Sequence, residues 1–260
     1  MKQLLKVSGV SKAYGGLRVL ESVDFEINEG EIVGVIGPNG SGKSTMLNAI
    51  SGFTDIDSGE VQLGGKALHN LRPHSIVENG IARTFQLPAM PDKMTVMEVI
   101  MAAYTRDHGL WGSLFRSRAQ RQAEDEAREK ASGLLKELLL EQVRDNAASA
   151  LSGGQKKLLS VACALMGSPR LLMLDEPTAG VHPNLRQEMV ATLKRINSQG
   201  LSMMVVEHDM HFIGELCDRC IVLDRGHIVA SCKPSELSNN ERVLEAYLGR
   251  SARQAKGAAA

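Results

Sequence analysis

The sequence predicts an α/β fold: a parallel-sheet core with an N-terminal antiparallel β subdomain and an inserted α-helical subdomain. Three observations predict it. After residue 151, short apolar runs at 171–174, 203–206 and 221–223 alternate with helical patterns, which is how a parallel sheet covered by helices reads. The first thirty residues instead alternate apolar and polar positions, as half-buried antiparallel strands do. Residues 116–141 are rich in Ala, Arg, Lys, Glu and Leu, with opposite charges at helical spacing.

In order along the chain, Leu4-Leu5-Lys6-Val7-Ser8-Gly9-Val10 and Val23-Asp24-Phe25-Glu26-Ile27 supply the first alternating strands. Residues 31–36 follow as a mostly apolar run suited to a strand buried on both faces. The run leads straight into a Gly-rich loop, and residues 44–50 read as a helix with Met46, Leu47 and Ile50 on one face. Residues 92–100 look like a capped helix start. The charged stretch reads as a solvated helix face, with Glu126 and Lys130 spaced to pair. Near the end, Val243, Leu244, Tyr247 and Leu248 form an apolar stripe on a helix that packs on its own core. The expected organisation is one domain over residues 1–250: a core from 1–86 and 168–235, a helical subdomain over 87–167 and a C-terminal helix over 236–250. Residues 251–260 are small and polar and are expected to be disordered.

Composition narrows the function. Thirty basic residues balance thirty acidic ones among 260, and the pI is about 7.1, which argues against a nucleic-acid partner. No run approaches the roughly 18 apolar residues of a spanning helix, and the N-terminus turns polar too soon for a secretory leader. A cytosolic chain is expected, with any membrane role carried by a partner. Cys163, Cys217, Cys220 and Cys232 are too few and too uneven for a disulfide framework. The C-x-x-C of Cys217 and Cys220 lacks a second ligand pair for zinc, so two buried or half-buried thiols are expected.

Gly37-Pro38-Asn39-Gly40-Ser41-Gly42-Lys43-Ser44 fits G-x-x-x-x-G-K-S with a strand before it and a helix after it, the context that makes this motif credible. A polyphosphate needs converging donors with no side chains in the way, so glycines let backbone N–H groups approach. The following helix N-terminus, which includes Thr45, favours negative charge. Lys43 brings a point charge to the terminal phosphates, and the Ser44 hydroxyl suits Mg²⁺. Asp175 and Glu176 stand at the end of an apolar strand, where α/β sheets bind ligands. Alone, they would equally suit surface carboxylates capping the next helix. Beside a phosphate loop, Asp175 reads as the Mg²⁺ partner and Glu176 as the group that orients and deprotonates water.

Leu151-Ser152-Gly153-Gly154-Gln155, twenty residues before Asp175-Glu176, resembles the signature of the ABC ATPase family. Arg83-Thr84-Phe85-Gln86 is similar to its Q-loop, and Val206-Glu207-His208-Asp209 to its switch-histidine segment. The resemblance spans residues 4 to about 250. It implies a P-loop (RecA-like) core that binds ATP and Mg²⁺. Gln86 would touch the metal or the water, and His208 the γ-phosphate, although an ordinary histidine after a strand would look the same. Tyr14 would stack on adenine, or simply pack in its strand. Ser152, Gly153, Gly154 and Gln155 would face the nucleotide of a second ATP-binding subunit, itself or a homologue, in a head-to-tail dimer. One departure is the D-loop, where Ala179-Gly180-Val181-His182 replaces the usual Ser-Ala-Leu-Asp. His182 either adds pH sensitivity or, the favoured reading, caps the helix beginning at Pro183.

The Arg83-Thr84-Phe85-Gln86 and Met94-Thr95-Val96 pair, the long charged insertion, Ala179-Gly180-Val181-His182-Pro183 and Ala246-Tyr247-Leu248-Gly249 resemble ATP-binding subunits of branched-chain amino acid, urea and short-amide importers. That implies a peripheral protein on the cytoplasmic face of the inner (plasma) membrane. Its permease would dock in a groove beside Gln86, with Leu87, Pro88, Ala89, Met90 and Met94 as adaptable surface. A periplasmic solute-binding protein would take part indirectly. A lipid-export or lipid-trafficking ATPase and a soluble ATPase of iron–sulfur cluster assembly are the alternatives.

Overall fold

The computed structural model describes residues 2–85, 90–104 and 118–247. The expected roles of Gln86, Leu87, Pro88, Ala89, Leu248, Gly249 and the 251–260 tail lie outside those residues.

The chain begins with two long strands, β1 (Gln3–Tyr14) and β2 (Leu17–Asn28), paired antiparallel. Leu5, Val7, Val10, Val23 and Ile27 point inward, while Lys6, Asp24 and Glu26 stay outside. β3 (Ile32–Ile36) leads to α1 (Lys43–Ile50). β4 (Ser58–Leu63) and the short β5 (Lys66–Ala67) complete the antiparallel sheet in the order β2-β1-β4-β5. α2 (Pro73–Glu78) and β6 (Ile81–Arg83) precede the helical lobe of α3 (Val96–Ala102), α4 (Arg118–Glu137) and α5 (Gly153–Met166). The chain then alternates through β7 (Leu171–Asp175), α6 (Pro183–Ser198), β8 (Ser202–Val206), α7 (Met210–Leu216), β9 (Arg219–Asp224) and β10 (His227–Cys232). Among the described residues the second sheet runs β10-β9-β3-β8-β7-β6, parallel except for the β9–β10 hairpin.

Successive side chains of a strand face opposite sides, and this sheet is covered on both. Val33 and Val35 of β3, Met173 of β7 and Met204 of β8 pack with the antiparallel sheet and α1. Ile32, Ile36, Leu172, Leu174, Met203 and Val205 pack on the helical side. Hence every residue of β3 and β8 is buried, Ser202 included, as their largely apolar runs predict.

The helical lobe begins where residues 92–100 suggest. Thr95 forms a capping box with Glu98, accepting from the Glu98 amide at 3.2 Å while the Glu98 carboxylate accepts from the Thr95 amide at 2.7 Å. Met97 is buried and Met101 half-buried in this lobe. α4 presents Ala123, Ala127, Ala131 and Leu135 to the core at helical spacing, and small side chains there allow close approach of neighbouring helices.

Three expectations need correcting. Lys130 does not pair with Glu126: its Nζ donates to the Met166 carbonyl at 2.8 Å and to Ser168 Oγ at 2.5 Å, while Glu126 accepts from Gln122 at 3.1 Å. A cation beside the unsatisfied carbonyls at the end of α5 does more than an exposed i,i+4 pair. The C-terminal helix begins at residue 241 rather than 236, after a 3-10 turn over Pro234–Asn239. The Asn240 side chain accepts from the amides of Arg242 and Val243 and so sets the start. In that helix Leu244 is exposed, and Ala246 is buried with Val243 instead, beside a half-buried Tyr247.

Candidate functional site

β3, β8 and β7 are neighbours, so the loops leaving their C-terminal ends lie along one edge of the sheet. The register places Val35 opposite Val206 and Val206 opposite Asp175. The segments carrying Lys43, Asp175–Glu176 and His208 therefore leave adjacent strands at the same level.

The loop after β3 is shaped by glycine. Gly37 has φ +152, and a Cβ there would stand 2.0 Å from the Leu223 carbonyl oxygen. Gly42, at φ +111, would put a Cβ 2.7 Å from the Val19 carbonyl. No other residue fits these positions without moving backbone, which leaves the loop amides open to a ligand. Lys43 opens α1 yet is only 6 % exposed; its Nζ donates to the Gly37 carbonyl at 2.8 Å and the Pro38 carbonyl at 3.1 Å. Its ammonium thus curls back over the loop that it follows. Ser41 is buried, its backbone tied to Pro38 and Gly226, and its hydroxyl finds no partner among the described residues. A glycine cradle, a buried ammonium and an unsatisfied hydroxyl fit a polyphosphate. Ser44 on α1 is exposed, and Thr45 is half-buried behind it.

Asp175 ends β7, where Arg83 Nη2 donates to its Oδ2 at 3.0 Å. Arg83 also reaches Asn48 Oδ1 at 2.7 Å and Ser51 Oγ at 3.1 Å, and its guanidinium lies 5.9 Å and 5.2 Å from the ring centres of Phe53 and Phe85, which pack edge to face. An oxygen set of a Ser44 hydroxyl and an Asp175 carboxylate suits a hard cation such as Mg²⁺.

Glu176 takes the unusual φ of +46. Its amide donates to the Val206 carbonyl at 2.9 Å, its carbonyl accepts from Lys157 Nζ, and its Oε1 lies 3.1 Å from His208 Nε2. Behind it, Glu207 is 3 % exposed and accepts from the Thr178 amide at 2.7 Å, the Thr178 hydroxyl at 2.6 Å and the His208 amide at 2.9 Å. This buried carboxylate fastens the segment after β8 to the turn after β7. Asp209 caps α7 through the amides of His211 and Phe212. It also pairs with Arg186 at 2.5 Å, and Arg186 in turn reaches the Val181 carbonyl. His208 is therefore held by its neighbours on both sides.

The remaining predicted residues fall elsewhere. Tyr14 ends β1, 46 % exposed, with its hydroxyl 3.2 Å from Thr54 Oγ1 and Lys12 Nζ 5.4 Å from its ring centre. Ser152 is the N-cap of α5, and its capping box with Gln155 leaves Gly153 and Gly154 in the first turn. Gly154 packs so near Leu185 that a Cβ would stand 2.4 Å from its Cδ2. The signature turn thus sits on the helical lobe, seated against residues 180–185. His182 caps α6, its Nδ1 accepting from the Asn184 amide at 3.4 Å, which is the favoured of the two readings. Gln86 lies outside the described residues.

Arg83 and Glu207 entered the sequence reading only as members of a motif, and Lys157 and Thr178 not at all. For the three charged ones the available signal was weak: a charged residue inside a run that otherwise reads as buried.

No group of three or more metal-binding side chains occurs among the described residues. Cys217 and Cys220 are buried under Gly34. Burial pushes the Cys163 thiol up to about 11 and the Cys220 thiol up to about 12, and raises Cys217 as well. The thiolate is the reactive form. Iodoacetamide at pH 8 is therefore expected to label half-buried Cys232 first in the folded protein and the other three only on unfolding, read by mass spectrometry. Rapid native labelling of Cys217 and Cys220 would mean that the C-x-x-C is a reactive pair after all.

Known proteins place this architecture. The ABC transporter family matches residues 20–179. A probable branched-chain amino acid transport ATP-binding protein, LivG, of Archaeoglobus fulgidus is 40 % identical over 249 residues, covering 95 % of this chain and 96 % of that protein. The high-affinity branched-chain amino acid transport ATP-binding protein BraF of Pseudomonas aeruginosa is 34 % identical, covering 95 % of this chain and 98 % of its own. Among solved structures, the ADP conformation of an ATP-binding cassette of an ABC transporter superposes with a TM-score of 0.84 at 32 % identity, covering 96 % of this chain and all of that one. A nucleotide-free cassette gives 0.82 at 33 % identity, covering 94 % and 98 %. A glycine-rich loop, a paired acid and a histidine on adjacent strand ends, within a chain matched almost end to end by such cassettes, make this protein a member of the ABC transporter family.

Proposed function

We propose that this chain is the ATP-binding and ATP-hydrolysing subunit that powers solute import through a membrane permease, with branched-chain amino acids or related small amide solutes as cargo. One observation carries the hydrolytic part: Lys43, Asp175, Glu176 and His208 converge on one edge of the sheet, each held by its own neighbours. The import part is supported by the two relatives named for branched-chain amino acid transport, similar over 95 % of this chain. No helix among the described residues is long and apolar enough to cross a membrane, so the path for solute belongs to a partner.

In this reading the loop amides and Lys43 bind the phosphates, and Ser44, Asp175 and Gln86 hold Mg²⁺, which supplies charge neutralisation at the phosphate oxygens. Glu176 accepts the proton of the attacking water, and His208 orients both that carboxylate and the terminal phosphate. Tyr14 stacks on the base from the end of β1. Ser152, Gly153, Gly154 and Gln155, at the N-terminus of α5, face the nucleotide of a second cassette, so that two chains close head to tail over two nucleotides. Closure and reopening drive the permease between its two facings. The protein then lies on the cytoplasmic face of the membrane, with the permease beside Gln86 and a periplasmic binding protein delivering cargo.

Two measurements test this. Tagged protein should co-purify with hydrophobic permease subunits from detergent extract. With ATP and Mg²⁺, the Glu176→Gln protein should run as a dimer by light scattering, alone or with a homologous cassette. A monomer under both conditions would sink the dimer, and recovery without any membrane protein would sink the importer.

A further inference from the structure

Lys157 is a lysine where a helix should bury an apolar side chain. It lies on α5 between Gly154 and Leu158, both buried, and is itself only 8 % exposed. Burial draws its pKa below the ordinary lysine value, opposed by the charges of Glu207, Glu176 and Asp175. An ammonium is kept in such a place only when its partners repay desolvation. Its one hydrogen-bond partner among the described residues is not a carboxylate: Nζ donates to the main-chain carbonyl of Glu176.

That carbonyl belongs to a residue with φ +46, a conformation which non-glycine residues keep only where their surroundings impose it. Its carbonyl accepts from the Ala179 amide at 3.3 Å within its own turn, and two other segments of chain add to that hold. β8 takes the Glu176 amide through Val206, His208 meets its carboxylate, and α5 takes its carbonyl through Lys157. The first two come from one segment of chain. Among the described residues, Lys157 ties the residue to the helical lobe, from the same helix whose first turn is Ser152–Gln155.

We infer that Lys157 is a positioning residue for hydrolysis: it holds the Glu176 peptide in its left-handed conformation and locks that pose to the signature helix α5. The inference rests on Glu176 being the group that activates water. Any tilt of α5, when a ligand seats at its N-terminus, then moves the Glu176 carbonyl and re-aims its carboxylate. Coulombic compensation of the surrounding acids is the rival role, and it would need only the charge.

The test compares Lys157→Met, Lys157→Leu and Lys157→Arg in the full-length protein, reading ATP turnover, KM for ATP, affinity for a fluorescent ATP analogue, and melting temperature. Methionine keeps the length and loses the donor. The expected result is a turnover lowered by about 10- to 100-fold, the scale of a misplaced catalytic group, with KM and analogue affinity within about twofold. Arginine, which can still donate to a carbonyl, should restore part of the rate. In a Glu176→Gln background, Lys157→Met should cost nothing further, because both changes act through one group. Wild-type turnover in Lys157→Met overturns the inference, as does an equal loss in the Glu176→Gln background or a loss confined to nucleotide affinity. Should methionine prevent folding, Lys157→Leu, which also lacks the donor, is judged by the same criteria. Undiminished turnover in Glu176→Gln alone would instead overturn the reading of Glu176.

Discussion

Replacing Glu176 by glutamine is expected to lower steady-state ATP turnover by about 10²- to 10⁴-fold, the usual contribution of a positioned proton acceptor. The amide has the same shape but cannot take a proton from water. Its Oε1 neighbour, His208 Nε2 at 3.1 Å, can still be satisfied by an amide, so the turn after β7 should survive. The backbone anchors at Val206 and Lys157 involve main-chain atoms and are untouched by the change. The expected signature is therefore selective: nucleotide affinity and melting temperature near wild type, turnover nearly gone, and ATP retained long enough to hold two cassettes together. Single-turnover hydrolysis with radiolabelled ATP separates this from slow product release. If the chemical step in Glu176→Gln matched wild type, the proton would be going elsewhere, and His208 would be the next residue to test by His208→Ala.

The parts of this molecule that were legible in advance are those written in local patterns. The mostly apolar run at 31–36 announced a strand buried on both faces and the run at 203–206 a buried strand, and every residue of β3 and β8 is buried. The glycines at 37 and 42 announced a loop bare of side chains, open to a polyphosphate, and the structure adds that a Cβ at either would collide with a carbonyl oxygen. Illegible were the pairings between distant residues. Lys130 lies four residues from Glu126, yet it turns instead to the end of α5, 36 residues away. Lys157 and Arg83 gave no periodic signal, because their partners, the Glu176 carbonyl and the Asp175 carboxylate, are 19 and 92 residues distant. Helix periodicity reports which face is buried, but not which charged residue on that face finds a partner there. The C-terminal stripe shows the same limit: Leu244 and Ala246 both lie on a short helix, and the core takes the smaller.

Replacing Lys43 by alanine is expected to weaken ATP binding by about 10- to 150-fold, the scale of one lost hydrogen bond to a charged group at about 1.5–3 kcal/mol. Its geometry argues for two contributions. The ammonium already donates to the Gly37 and Pro38 carbonyls, at 2.8 and 3.1 Å, so it braces the loop and keeps its amides aimed inward. The same charge is buried at 6 % exposure beside the place a polyphosphate would take, where fewer waters screen it and each contact counts for more. Alanine removes the brace and the charge together. Lys43→Met keeps the stem packed under the loop and removes only the donors, so the difference between the two variants reports the value of packing. Both should be read by titration with a fluorescent ATP analogue, with turnover at saturating ATP measured alongside. A phosphate-binding role requires that methionine lose nearly as much affinity as alanine. Were methionine to bind ATP as wild type does, the buried ammonium would be serving the loop alone, and the phosphates would rest on backbone amides and the helix α1 N-terminus.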